Sequence, residues 1–187
     1  MKVSRAQAEA NRERILDSAA QLFRERGVDG VGLNELMQAA GLTRGGFYGH
    51  FESKEDLVAQ ASRRALQKNR EARAKMADQG LASWVNFYLS DAHCERVGEG
   101  CGVTGLVADA ARGGPAMREV FSEGVEGFTK ALQALMPGDT DAERREQAMA
   151  RLATMVGGLL LGRAVADPAL SHELREAAKK AVLAGAG

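Results

Sequence analysis

Three observations predict an all-α fold. Ala, Leu, Glu and Arg abound while only 3 prolines occur in 187 residues, a composition that favours helix. Apolar residues recur at three- and four-residue spacing, and the two-residue alternation of a strand is absent. Gly, Pro, Ser and Thr punctuate the periodic runs where helix ends need them. About nine helices are expected, arranged as a three-helix head followed by a helical body.

The first helix runs from about Ala6 to Arg26, with Ile15, Leu16, Ala19, Leu22 and Phe23 as its apolar stripe and Gly27 as its stop. In the second, Leu33, Leu36, Met37 and Ala40 fall at i, i+3, i+4 and i+7, one helical face. Gly41 is the residue type that ends a helix in the left-handed conformation. Thr43 is a good N-cap for a third helix from Arg44. Phe47 and Phe51, four apart, share a face that packs back on the second helix.

Gly45, Gly46 and Gly49 are costly in a helix, roughly 1 kcal/mol each against Ala. Glycine instead allows close approach of backbone to a ligand. Arg44, Tyr48 and His50 are left to point outward. Helix, tight turn and helix with a free polar face is the helix-turn-helix, whose second helix enters the DNA major groove. The plainer reading, an ordinary surface helix, does not account for the glycines.

Ser53 caps a fourth helix with Glu55 and Asp56 in its first turn, where carboxylates suit the positive helix end. It reaches about Ala77 and links head to body, which sets the domain limits at 1–53 and 54–187. Asp78-Gln79-Gly80 breaks it. Leu81 to Ser90 is a fifth helix bearing Trp84, Phe87 and Tyr88. Asp91 to Gly102 reads as a polar loop. Helices follow at about Val103–Arg112, Pro115–Met136, Asp141–Val165 and Pro168–Ala184, with Pro137-Gly138-Asp139 as a turn. In the eighth, Leu152, Val156, Leu159 and Leu160 recur at helical spacing beside Gly157, Gly158 and Gly162. Glycines there let another backbone come close, from a second subunit or from the same one.

Formal net charge is zero, but its distribution is uneven. Residues 1–75 hold 14 Lys/Arg against 10 Asp/Glu, net +4, and the remainder is net −4. The basic excess sits with the helix-turn-helix, as phosphate neutralisation requires. No apolar run approaches the ~20 residues of a membrane span, nor is there a signal-peptide core, so the cytoplasm is expected. His50, His93 and His172 lie in unrelated contexts, and no nucleophile motif, P-loop or dinucleotide-binding pattern is present. No catalytic residue, cofactor or metal is expected.

The stretch R-I-L-D-S-A-A-Q-L-F from Arg14, Gly27, and G-L-T-R-G-G-F-Y-G-H-F-E-S-K-E-D-L from Gly41 resembles the TetR (tetracycline repressor) family of bacterial transcriptional regulators, over about a quarter of the chain. The resemblance implies that Thr43 and Arg44 open the recognition helix beside Gly45 and Gly46, and that Arg44 reaches bases or phosphate. It implies phosphate contacts from Tyr48, His50 and Lys54. Where many members cap the first motif helix with Thr or Ser, this chain has Gly32, and Asn34 is the candidate substitute. The resemblance further implies a homodimer joined through the last two helices, with Leu152, Val156, Gly157 and Leu160 at the interface. It implies a near-palindromic double-stranded operator, and a repressor released by a small molecule or by thiol modification. A ligand-independent DNA-binding dimer and an enzyme with a site in the helical body are the alternatives. A ligand pocket, if present, is expected around Trp84, Phe87 and Tyr88.

Cys94 and Cys101 stay reduced in a cytosolic chain, and three readings stay open. They are small buried hydrophobes, a regulatory thiol pair, or, with His93, metal ligands, for which the spacing is poor. Gly100 and Gly102 leave Cys101 room to be accessible, and it precedes a helix N-terminus, which lowers a thiol pKa. His93, Arg96 and Arg112 are the cations expected nearby. E-G-C-G-V-T-G-L-V-A-D-A from Glu99 is similar to a TetR branch with Gly-Cys here, some of whose members sense electrophiles, and G-L-N-E-L from Gly32 is similar to the same branch.

Overall fold

The computed structural model describes residues 4–184, so the outermost limits of the two expected domains fall outside it. Every regular element among these residues is helical. The α-helices are α1 (Arg5–Arg26), α2 (Leu33–Ala39), α3 (Lys54–Ala77), α4 (Gly80–Tyr88), α5 (Asp91–Glu95), α6 (Gly102–Arg112), α7 (Pro115–Gln133), α8 (Asp141–Ala164) and α9 (Pro168–Leu183). Two 3-10 helices, Arg44–Gly49 and Val97–Glu99, lie between them.

Local chemistry sets most ends. Ser53 accepts from the Asp56 amide at the start of α3, and Thr140 with Glu143 forms a full capping box on α8. Pro115 and Pro168 open α7 and α9, where a missing N–H costs nothing. Gly41, at φ +69°, turns the chain out of α2, a conformation that other residues adopt only with strain.

Three expectations are corrected. Residues 44–49 form a 3-10 helix, not an α-helix, because three glycines in six positions remove the side chains and rotamer restriction that favour α geometry. Thr43 occupies the N-cap position but its hydroxyl caps nothing; its carbonyl accepts from Gly46 instead. The expected loop 91–102 contains α5, because the Ser90 hydroxyl accepts from the His93 amide and starts a helix.

The core has two parts. In the first, Ile15, Phe23, Leu36, Met37, Phe47, Phe51, Leu57 and Ala61 pack with Leu106, Ala110 and Met117 of the body. The expected 53/54 limit coincides with the start of α3, yet the first turns of α3 share the head's core. In the second, Trp84, Tyr88, Phe128, Leu132, Leu152, Met155, Leu159 and Val182 pack together. α9 lies on α8 at Gly158, where a Cβ would stand 2.5 Å from that of Ala178. Gly158 and Gly162 thus serve packing within one subunit, while nothing approaches Gly157.

Candidate nucleic-acid interface and its link to the body

Phe47 and Phe51 stack, with ring centroids 5.7 Å apart, and both are buried. They anchor residues 44–50 on the first core. Tyr48 is then forced outward and is 75% exposed. Arg44, Gly45 and Gly46 are exposed beside it. Among the described residues no hydrogen bond or ion pair engages the Arg44, Tyr48 or His50 side chains. Asn34 is exposed on α2 and makes no cap bond; Gly32 leaves that helix start without a side-chain cap.

Lys54 is placed differently from its neighbours. Its ammonium donates to the carbonyls of Val28 and Val31, at 3.2 and 3.1 Å. Two of its three protons hold the 27–31 loop.

That loop is also held from the body. The Val28 amide donates to Asp109 Oδ1 of α6 at 2.9 Å, and Gly27, at φ +73°, leaves room for this carboxylate. Sequence reasoning missed Asp109, since nothing local marks an acidic residue on α6 as a tie to the head. Beside the tie is a cavity of about 440 Å³, walled by Val28, Val58, Ala59, Pro115 and Met117 and edged by Lys54, Asp109 and Arg112. This is within the size range of small-molecule sites.

The expected pocket around Trp84, Phe87 and Tyr88 is not where these residues lie. Trp84 is 1% exposed and stacks on Phe128 at 5.4 Å. Tyr88 is buried, bonded to the Thr104 hydroxyl at 2.8 Å. Phe87 is exposed and stacks on His93 at the rim of a shallow dent. Large rings on a helix between two others gain more by filling the core than by lining a void.

Cys101 is 4% exposed, as the buried-hydrophobe reading has it and the accessible-thiol reading does not. The flanking glycines bring other groups against it rather than opening it. The His93 Nδ1–H donates to the Tyr88 carbonyl at 2.6 Å, and His93 Nε2 accepts from the Cys101 amide at 3.0 Å. Burial holds the imidazole below its ordinary pKa. Burial pushes the Tyr88 phenol well up, and Cys101 adds to that shift. The cations that act on the Cys101 sulfur are Arg24 and Arg163, while Arg112 lines the junction cavity. Arg163 donates to the carbonyls of His93 and Cys94. Cys94 is half-buried. Among the described residues no group of three or more His, Cys, Asp or Glu could hold a metal ion, and no helix is long and apolar enough to cross a membrane.

On α8, Leu152 is 6% exposed and belongs to the second core, which corrects its expected interface role. Leu160 is 39% exposed. With Met149, Val156, Gly157 and Leu161 it makes an apolar stripe turned away from α9.

An exposed turn packed beside α2 on a three-helix head, tied to a larger helical body, has the geometry of a helix-turn-helix. The family model described as bacterial regulatory proteins, tetR family, matches residues 15–61, which are the head and the first turns of α3. It is 42% identical over 57 residues to the regulator AcrR of Shigella flexneri, covering 30% of this chain and 26% of AcrR. It is 47% identical over 57 residues to the repressor BepR of Brucella suis, covering 30% and 27%. With the regulator LmrA of Bacillus subtilis the likeness is 26% over 163 residues, covering 81% and 85%. The match with AcrR thus spans about a quarter of that relative's length. Among solved structures, reduced E. coli NemR superposes with a TM-score of 0.75 at 22% identity, covering 92% of this chain and 94% of NemR. A TetR-family regulator of Cytophaga hutchinsonii gives 0.76 at 22%, covering 97% and 96%. These two likenesses establish the fold.

Proposed function

We propose that the chain is a cytoplasmic, homodimeric transcriptional repressor that binds a near-palindromic operator and leaves it when a small molecule enters the body. The observation that carries the reading is the set Arg44, Tyr48 and His50, presented over the Phe47–Phe51 anchor with side chains that make no hydrogen bond or ion pair among the described residues. Tyr48 and His50 position the head on phosphates, and Arg44 reads a base edge. The outward stripe of α8 supplies the subunit contact, which spaces two heads along the duplex. BepR, similar over the head, is named a repressor, which supports the sign of regulation. The test is a mobility shift with the DNA upstream of the chain's own gene against random competitor. A retarded band that survives competitor supports the reading, and equal competition by random DNA refutes it.

Release acts through the 27–31 loop. A molecule in the junction cavity touches Lys54 and Asp109, the two groups that hold that loop. Its occupation reorients the head to the extent that it prefers one arrangement over the other. The second reading is release by modification of Cys101, near which the guanidiniums of Arg24 and Arg163 lie.

A further inference from the structure

Arg24 has no part in the DNA face, yet it is the most unusual charge in the head. It is 8% exposed, on α1, and its Nε is buried without a hydrogen-bond partner. Among the described residues no hydrogen bond or ion pair reaches its guanidinium; Cys101, Glu25 and Glu99 act on it only through space. A buried charge is normally paired, because its desolvation is otherwise uncompensated.

Arg24 lines a cavity of about 320 Å³ between α1, α3 and the 97–99 turn. Ser18, Gln21 and Lys68 add neutral and cationic donors to the same wall. Two carboxylates also line it. Asp17 is already answered by Lys68 at 2.7 Å and by Arg64 at 3.5 Å. Glu99 is exposed on the same wall, and the Glu25 carboxylate, which accepts from Gln21 at 2.9 Å, packs against Gly98 beside it. Behind Arg24 the packing is tight: a Cβ on Gly105 of α6 would lie 2.9 Å from Arg24 Cγ. The stem of Arg24 is therefore held against α6, while the residue lines the cavity wall.

We propose that this cavity is a second ligand site, which binds a small carboxylate- or phosphate-bearing molecule on Arg24, with Lys68 and Ser18 as supporting donors. A guanidinium is the group whose planar fork matches an oxyanion with two parallel bonds. The volume exceeds a bare oxyanion and suits a short organic acid or a small phosphate ester. Since the walls come from the head (α1), the connecting helix (α3) and the body (97–99), occupation stiffens the head against the body. The site is separate from both the recognition turn and the junction cavity.

The test uses the full-length free protein without DNA, so its failure leaves the DNA-binding reading intact. The thermal midpoint is followed against succinate and against inorganic phosphate, with chloride matched in ionic strength. Ligands that bind only the native state raise the midpoint with the logarithm of their concentration. The wild-type chain is expected to show this rise with at least one of the two anions, and which anion gives it identifies the source. Arg24→Met, an apolar replacement that removes the buried charge without opening the core, is expected to fold and to give no rise. Glu99→Gln, on the surface, is expected to tighten binding several-fold by removing the opposing charge. A flat wild-type response to both anions, an equal rise in Arg24→Met, or weaker binding by Glu99→Gln overturns the proposal.

Discussion

Residues 44–50 and residues 88–104 each carry one tyrosine and one histidine, and the structure treats the two pairs in opposite ways. Tyr48 stands in solvent and His50 has no bonded partner, over an anchor of two stacked phenylalanines. Tyr88 and His93 are closed into a chain that runs from Thr104 through the Tyr88 backbone to the Cys101 amide. The difference is the one between groups kept for a partner and groups spent on the fold. A polar side chain left unsatisfied in solvent costs little and remains available, whereas a buried one is costly unless bonded.

The same contrast on α8 gives the largest effect. Leu152→Glu places a charge in the second core and is expected to abolish folding, since an unpaired buried charge costs several kcal/mol. Leu160→Glu is expected to keep the far-ultraviolet circular dichroism of the wild type but to sediment as a monomer. A Leu160→Glu chain that is still dimeric removes α8 from the subunit contact.

The tyrosines come next. Tyr88→Phe strands the Thr104 hydroxyl and is expected to cost about 1–3 kcal/mol in urea unfolding. Tyr48→Phe is expected to stay within roughly 0.5 kcal/mol of wild type. Equal costs would erase the distinction between the two regions.

His93 sharpens it through pH. Burial holds its pKa below the ordinary 6.5, so the unfolded chain takes up the proton first as pH falls. Stability is then fully present above about pH 6.5, declines below it, and stops declining below the depressed folded value. His93→Gln keeps polar atoms in the ring's place without titrating and is expected to flatten that decline. An unchanged pH profile in the variant assigns the decline elsewhere.

The smallest effect is kinetic. Alkylation followed by mass spectrometry is expected to label half-buried Cys94 before buried Cys101, with Cys101 reacting only when denaturant is added. Early labelling of Cys101 in the native protein would instead favour the thiol route of release.

Most of the fold could be read from local chemistry. Gly27, Gly41, Ser53, Pro115 and Pro168 end or begin helices through backbone geometry that a few neighbouring residues decide. The recognition turn was legible for the same reason, as its three glycines and two phenylalanines lie within eight positions. The roles of Leu152 and Leu160 were not separable, because α8 is apolar on two sides and periodicity cannot say which meets α9. α5 has five residues, too few for a hydrophobic period. The readings of Cys101 could not be separated, because flanking glycines permit exposure, yet here they admit His93 and Asn69 against the backbone instead. Asp109 and Arg24 are set by contacts across the head–body junction that no local pattern announces.

Fluorescence anisotropy on the chain's own upstream DNA and on a scrambled duplex tests the central claim most directly. Wild type, Arg44→Ala and Tyr48→Phe are compared at a fixed salt concentration. The account predicts that wild type prefers the upstream sequence and that Arg44→Ala loses about 1–3 kcal/mol on it but little on the scrambled duplex. It predicts that Tyr48→Phe weakens binding to both alike. Wild-type binding that does not distinguish the two duplexes, or variants that bind both as wild type does, would contradict it.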